Sequence, residues 1–311
     1  MPIPLHPGVS KGKTILLYNN NTTVWEFVGD ELESSPGEAR ISHNNQYVAI
    51  GQSDGWIYLL NLTTKEVIWK RFAHGQIRYI WFNKNDTGFY AGSGDGHLYS
   101  YAINGTLLWR TYVTAWTFSM DVTPDDSYIL VNSKLTYTTL LVKYGNVLWQ
   151  QPAGIAGCSI APDASFVVVG TFAYPGGWTP VIDKQGNVLF WLEMSKNSAL
   201  SQDGKYIITF SDMPEPGIIK LRTAKGHTIW SYPLEEHSPY TTGDRGFAYI
   251  SKDYSKLVIG ASDGNVYFFE GNITEEIENH PPQITYFLPL SNPKINEEQS
   301  ITFNITAFDP D

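Results

Sequence analysis

An aromatic residue closes a β-rich run about every forty positions: Trp69, Trp109, Trp149, Phe190 and Trp230 follow one another at intervals of 40, 40, 41 and 40. The stretch between two of them shows what repeats. Residues 82–110 read FNKNDTGFYAGSGDGHLYSYAINGTLLWR. This is a polar turn at 83–86, an apolar run to Gly92, an Asp95-Gly96 turn, an alternating run, an Asn104-Gly105 turn and a third run ending in Trp109. Runs of five or six residues separated by dipeptides that accept positive φ spell an antiparallel meander. Residues 42–70, 122–150, 160–191, 200–231 and 250–270 keep the same order. Each small sheet has two apolar faces that it cannot hide alone, and a closed ring of such sheets covers them all. The period therefore predicts an all-β chain: a seven-bladed β-propeller of four-stranded antiparallel blades.

The N-terminus fits this scheme in two ways. In one, residues 8–20 (GVSKGKTILLYNN) match LSQDGKYIITFS, and a complete first blade follows; in the other, Trp25 is itself the repeat tryptophan and two inner strands are missing. The first is preferred because it yields seven copies of the second strand, near 13–18, 47–51, 87–92, 127–132, 165–170, 205–210 and 256–261. The last unit then has three strands before the composition changes at Gly271, and residues 2–6 are the candidate to supply its fourth. Two connections are long: GTFAYPGGWTP between Val169 and Val181, and SYPLEEHSPYTTGDRGFA between Trp230 and Tyr249. Long loops on a rigid scaffold are common seats of recognition. The expected organisation is a propeller over 1–272, a Pro-rich linker over 273–283, and over 284–311 the first strands of a β-sandwich that continues in a longer modular protein.

Composition narrows the function. The 311 residues are 42% hydrophobic, enough for a large core, only 17% charged, and carry a net charge of -10. An acidic chain without Lys/Arg clusters is a poor partner for nucleic acid or an anionic membrane. No apolar run approaches the roughly 20 residues of a membrane span, and MPIPLHPGVSKGK has no signal-peptide core. The single cysteine, Cys158, falls in a strand pattern and reads as a small buried apolar residue. The seven histidines show no HExxH or paired metal spacing, and neither GxSxG nor a phosphate loop is present. We therefore expect no catalytic residues.

Ligand-binding candidates come from loop position. His74 and Arg78 flank the start of an inner strand; His237, Asp244 and Arg245 sit in the long 231–248 connection; Trp116 and Trp178 offer an aromatic platform at the expected channel mouth. The repeated aromatics Trp69, Trp109, Trp149, Phe190 and Trp230 could stack on a quinone or a sugar. Their regular recurrence instead favours a structural role, each packing on the neighbouring blade. The Asp-Gly pairs at 54–55, 95–96 and 263–264 read as hairpin corners rather than calcium ligands. Asp309 and Asp311, two hard oxygen donors at a module boundary, are the candidate calcium ligands; no other cofactor is expected. Asn-x-Ser/Thr sequons at Asn20, Asn21, Asn61, Asn85, Asn104, Asn272 and Asn304 exceed the about three that chance predicts, in the direction of a glycosylated exterior.

The repeat signature, S/P-x-D-G-x-Y-apolar-apolar-x-G, then S-D-G-x-apolar-Y, then G-x-apolar-L-W, resembles the WD40-like or quinoprotein-like propeller repeats of archaeal and bacterial cell-surface proteins over residues 8–271. Residues 280–311, with Pro281-Pro282 and the ending EEQSITFNITAFDPD, resemble the opening of a PKD or cadherin-like module. The Trp-Asp dipeptide of true WD40 repeats is absent, as is the adjacent-cysteine pair expected of a quinone-dependent dehydrogenase. The resemblance implies a monomeric, non-catalytic propeller at the cell surface that binds protein or glycan. Its alternatives are an envelope assembly scaffold that pairs peptide strands, marked by an exposed apolar rim, and a quinone-dependent or polysaccharide-active enzyme.

Overall fold

The computed structural model describes residues 13–17, 23–28, 36–113, 116–133, 135–152, 157–171, 178–193, 195, 197–211, 217–233, 247–260 and 266–270. The described residues form seven antiparallel sheets and no helix. Sheet one pairs Lys13–Leu17 with Thr23–Val28. Sheets two to six each have four strands in chain order, and sheet seven has three, Phe247–Ile250, Lys256–Gly260 and Val266–Glu270. This is the blade pattern that the repeat predicts. A strand stands at each of the seven positions expected for a second strand, from Lys13–Leu17 to Lys256–Gly260. Residues 2–6 and 271–311 lie outside the described residues, and with them the closing strand, the linker and the sandwich.

Strand formation follows from two-residue periodicity. In sheet two, Val48, Ile50, Tyr58 and Leu60 share one core with Trp25 and Phe27 of sheet one. The alternate residues Ala49, Ile57 and Leu59 share another with Phe82, Phe89, Tyr99 and Tyr101 of sheet three. Each strand thus serves two interfaces, as a sheet covered on both faces must. The same arrangement links sheet four to five, five to six, and six to seven.

Contacts divide the chain into two units, residues 1–119 with 143–147, and residues 120–142 with 148–311. In the first unit the opening strand of sheet two, Pro36–Ile41, packs beside that of sheet three, Ile77–Phe82. In the second, Cys158–Ile160 packs beside Asn197–Leu200, and that strand beside Phe247–Ile250. Fourth strands are the outer ones: of Leu107–Tyr112 no residue is fully buried.

Neighbouring sheets are also clasped at their outer hairpins. The Trp69 ring lies over Gly105, and its Nε1 donates to the Ile103 carbonyl at 2.8 Å, while Arg71 Nε donates to the Gly105 carbonyl at 3.1 Å. One repeat on, Trp109 covers Gly145, and Thr111 Oγ1 donates to the Gly145 carbonyl, which places residues 143–147 with the first unit. In the second unit Trp149 covers Gly186 and donates to the Lys184 carbonyl at 3.0 Å, with Gln151 Nε2 on the Gly186 carbonyl at 2.7 Å; Phe190 covers Gly226. Gly105 and Gly145 have φ of +83° and +80°, and a Cβ on either would meet the indole at 3.1 or 3.0 Å. Glycine is therefore required twice over, by the turn and by the ring above it. Trp230 ends the series edge-on to Phe269, at 4.8 Å.

Candidate functional site

Because strands alternate in direction, the hairpins joining first to second and third to fourth strands share one end of each sheet. The second-to-third turns and the links to the next sheet share the other. All described binding candidates fall at this second, link end. Its corners are built by the expected Asp-Gly turns: Asp54 Oδ1 accepts from Trp56 N at 3.1 Å and Asp95 Oδ1 from His97 N at 2.9 Å, with Gly55 and Gly96 at positive φ.

Arg78 and Trp116, far apart in sequence, meet here. The guanidinium carbon stands 4.9 Å from the centre of the indole, and Arg78 Nε donates to Gln76 Oε1 at 3.2 Å, which holds it in place. Trp116 has φ of +64°, a conformation costly for a bulky side chain. Its Nε1 is buried without a hydrogen-bond partner among the described residues, as is the neighbouring Thr117 Oγ1. Gln76, 40 residues earlier, has no such backbone.

His74 is also at positive φ, +58°, but its ring packs edge-on against Phe72 at 4.8 Å. Phe72 in turn packs on Trp56 at 5.1 Å, and Lys70 Nζ lies 4.7 Å over the Trp56 ring. Sheet three repeats the arrangement: His97 packs edge-on against Tyr112 at 5.4 Å, with Asp95 Oδ2 3.3 Å from its Nδ1. Burial, and then the hydrogen bond that Tyr99 donates to Asp95 at 2.5 Å, push the Tyr99 hydroxyl well above the usual phenol range. Trp56, Phe72 and Tyr112 are site residues that loop position alone does not select, since they lie on strands. The signal available was recurrence: Phe72 and Tyr112 are 40 apart, and Trp56 and His97 are 41 apart.

Trp178 is not a loop residue. It opens the third strand of sheet five, Trp178–Asp183, paired with Glu193 and 48% exposed, so the insertion after Val169 is shorter than the sequence suggests. It belongs to the second unit, whereas His74, Arg78 and Trp116 belong to the first. His237, Asp244, Arg245, Asp309 and Asp311 lie outside the described residues, as do Asn20, Asn21, Asn272 and Asn304. Cys158 is buried in its strand. Among the described residues no three His, Cys, Asp or Glu side chains converge as metal ligands.

The outer strands carry a second repeated feature. Val67 with Ile68, Leu107 with Leu108, Val147 with Leu148 and Val188 with Leu189 are all exposed, by 39 to 59%. They form an apolar pair at the start of the fourth strand in four consecutive sheets.

Similarity to known proteins agrees with this architecture. No curated protein matches the chain. Among solved structures, a chain of the mitotic checkpoint complex superposes with a TM-score of 0.63 at 11% identity, covering 81% of this chain and 82% of that one. A chain of Kuenenia stuttgartiensis hydrazine synthase gives 0.58 at 14% identity, covering 76% of each. At such identities the likeness is one of fold, that of a β-propeller. The PQQ_2 family model, described as outer membrane protein assembly factor BamB, matches residues 11–232, more than half of the chain. The chain is thus a member of the PQQ_2 family, built as a seven-bladed β-propeller.

Proposed function

We propose that this propeller is a non-catalytic protein-binding platform outside the cell, and that its partner docks on the link end of sheets two and three. The observation that carries the reading is the Arg78–Trp116 pair. Backbone strain of about 1–3 kcal/mol at Trp116 has no counterpart 40 residues earlier, and strain of this kind is characteristically held at ligand-contacting sites. A guanidinium laid on an indole, beside the Trp56–Phe72 and His97–Tyr112 pairs, presents the aromatic and arginine chemistry that dominates protein interfaces. The BamB description of the family supports a protein partner over a glycan. The non-catalytic reading draws on the single buried cysteine and on the packing of His74 and His97 against aromatic rings. The exterior placement draws on the sequon excess.

A second reading, the assembly scaffold that takes peptide strands, is favoured by the exposed apolar pairs of the outer strands. One experiment separates the two. A photo-reactive phenylalanine replaces Phe72 or Tyr112 in one set of cells and Leu148 in another. The platform reading expects a discrete protein adduct from positions 72 and 112, lost when Arg78→Ala and Trp116→Ala are combined. Adducts from position 148 alone would transfer the function to the rim, and adducts that collapse on glycosidase treatment would make the ligand a glycan.

A further inference from the structure

Every described sequon sits at the same end of its sheet, the end opposite the candidate site. Asn61 opens the third-to-fourth hairpin of sheet two, Asn104 the same hairpin of sheet three, and Asn85 stands in the first-to-second hairpin of sheet three. Asn85 and Asn104 are exposed, and Asn61 is partly so. The turn uses only half of the amide at two of them. Asn61 Oδ1 accepts from Thr63 N at 2.8 Å and Thr64 N at 3.0 Å, and Asn104 Oδ1 accepts from Thr106 N at 3.0 Å. Neither Nδ2 makes a hydrogen bond among the described residues, so a substituent there leaves the turn intact. At Asn85 the neighbouring Asp86 is turned inward to accept from His43 and Asn44, and Asn85 occupies the exposed tip.

The sequence adds two regularities. All seven sequons carry Thr at the third position although the chain has nearly equal numbers of Ser and Thr, 23 and 25, a coincidence of about one in a hundred. Moreover none lies between residues 105 and 271, which hold five asparagines. Drift of turn residues would spread sequons over all blades, since every blade has the same hairpins.

We propose that Asn61, Asn85 and Asn104 carry N-linked oligosaccharides, and that the chain from 120 to 271 is bare. In each case the amide Nδ2 bonds to the anomeric carbon of a phosphate-activated oligosaccharide, the bond from that carbon to the phosphate oxygen breaks, and the amide gives up one proton. The consequence is a sided surface. Glycans on Asn61 and Asn104 stand at the hairpins that lead into the exposed pairs Val67–Ile68 and Leu107–Leu108, and would screen them, whereas the pairs Val147–Leu148 and Val188–Leu189 follow hairpins without a sequon. The inference shares with the proposed function only its placement outside the cell, and it stands or falls separately from any cross-linking result.

Glycopeptide mass spectrometry on the protein purified from the organism that encodes it tests this. The expected result is sugar on Asn61, Asn85 and Asn104 in most molecules and none on peptides from 120–271. Thr106→Val should remove the Asn104 glycan alone, lowering the intact mass by one oligosaccharide while Asn104 itself is unchanged. Unmodified asparagine at any of the three in the native protein, sugar between 120 and 271, or an Asn104 glycan that survives Thr106→Val would overturn the proposal.

Discussion

Asp86 shows how much one side chain can hold. It lies buried in a polar turn of sheet three and accepts three hydrogen bonds from the matching turn of sheet two: His43 N at 3.0 Å, His43 Nδ1 at 2.9 Å and Asn44 N at 2.7 Å. Burial pushes its carboxyl up, but these bonds together outweigh burial and hold it below the usual value. Asp203 is similar: burial raises it, while the Tyr254 hydroxyl from sheet seven and Ser201 bring it down to about 2. A depressed folded value means that the stabilisation is fully present above the unfolded pKa of about 4 and is lost as pH falls toward 2. Asp86→Asn should therefore destabilise by about 1–3 kcal/mol near neutral pH. In urea melts at successive pH values its gap from the wild type should close below about pH 4; a gap independent of pH would show that the carboxylate charge is not what the two turns share. Trp69 is the corresponding apolar case. Its ring stacks on Phe89 at 5.6 Å and covers Gly105, and Trp69→Ala should cost about 3–5 kcal/mol by chemical denaturation. For Gly145→Ala, under Trp109, strain and contact together should cost about 1–2 kcal/mol.

At the scale of the element, sheets five and six are joined by ions as well as rings. Glu193, on the outer strand of sheet five, meets Arg222 and Lys220 on the third strand of sheet six, and Arg222 is only 4% exposed. Thr228 Oγ1 at 2.6 Å takes another of the guanidinium protons. Removing the carboxylate leaves a buried charge without its counter-ion, but Glu193 itself is half exposed and screened, so Glu193→Gln should cost about 1–2 kcal/mol. Arg222→Leu paired with Glu193→Gln should recover part of it; no recovery in the double variant would mean that the pair is not coupled. Such pairings were not legible in the sequence, because the partners lie 29 residues apart on different sheets and neither belongs to a motif. The strands themselves were legible. Apolar runs that follow a polar turn mark the second strands, with Asp-Gly corners after those of sheets two and three, and Lys13–Leu17 falls on the run expected near 13–18. The site was legible only in part: loop position selects His74, Arg78 and Trp116, but says nothing of the pairing that joins Arg78 to Trp116 and His74 to Phe72. The aromatic pairs on strand ends escape such a reading because β-rich runs are full of aromatics for packing reasons alone.

At the scale of the whole molecule, the forty-residue period, the solved structures and the PQQ_2 family describe one object, a propeller whose repeats differ in what they display and agree in how they lean on each other. That shared lean is the claim on which the rest depends: an outer-strand aromatic of one sheet seats on the glycine of the next sheet's hairpin. Indole N–H hydrogen exchange measured by NMR tests it directly. Trp69 and Trp149 each donate to a carbonyl of the following sheet, so their Nε1 protons should exchange far more slowly than in a free indole, with Gly105→Ala weakening the protection of Trp69. Exchange of both at the rate of free tryptophan would contradict the account.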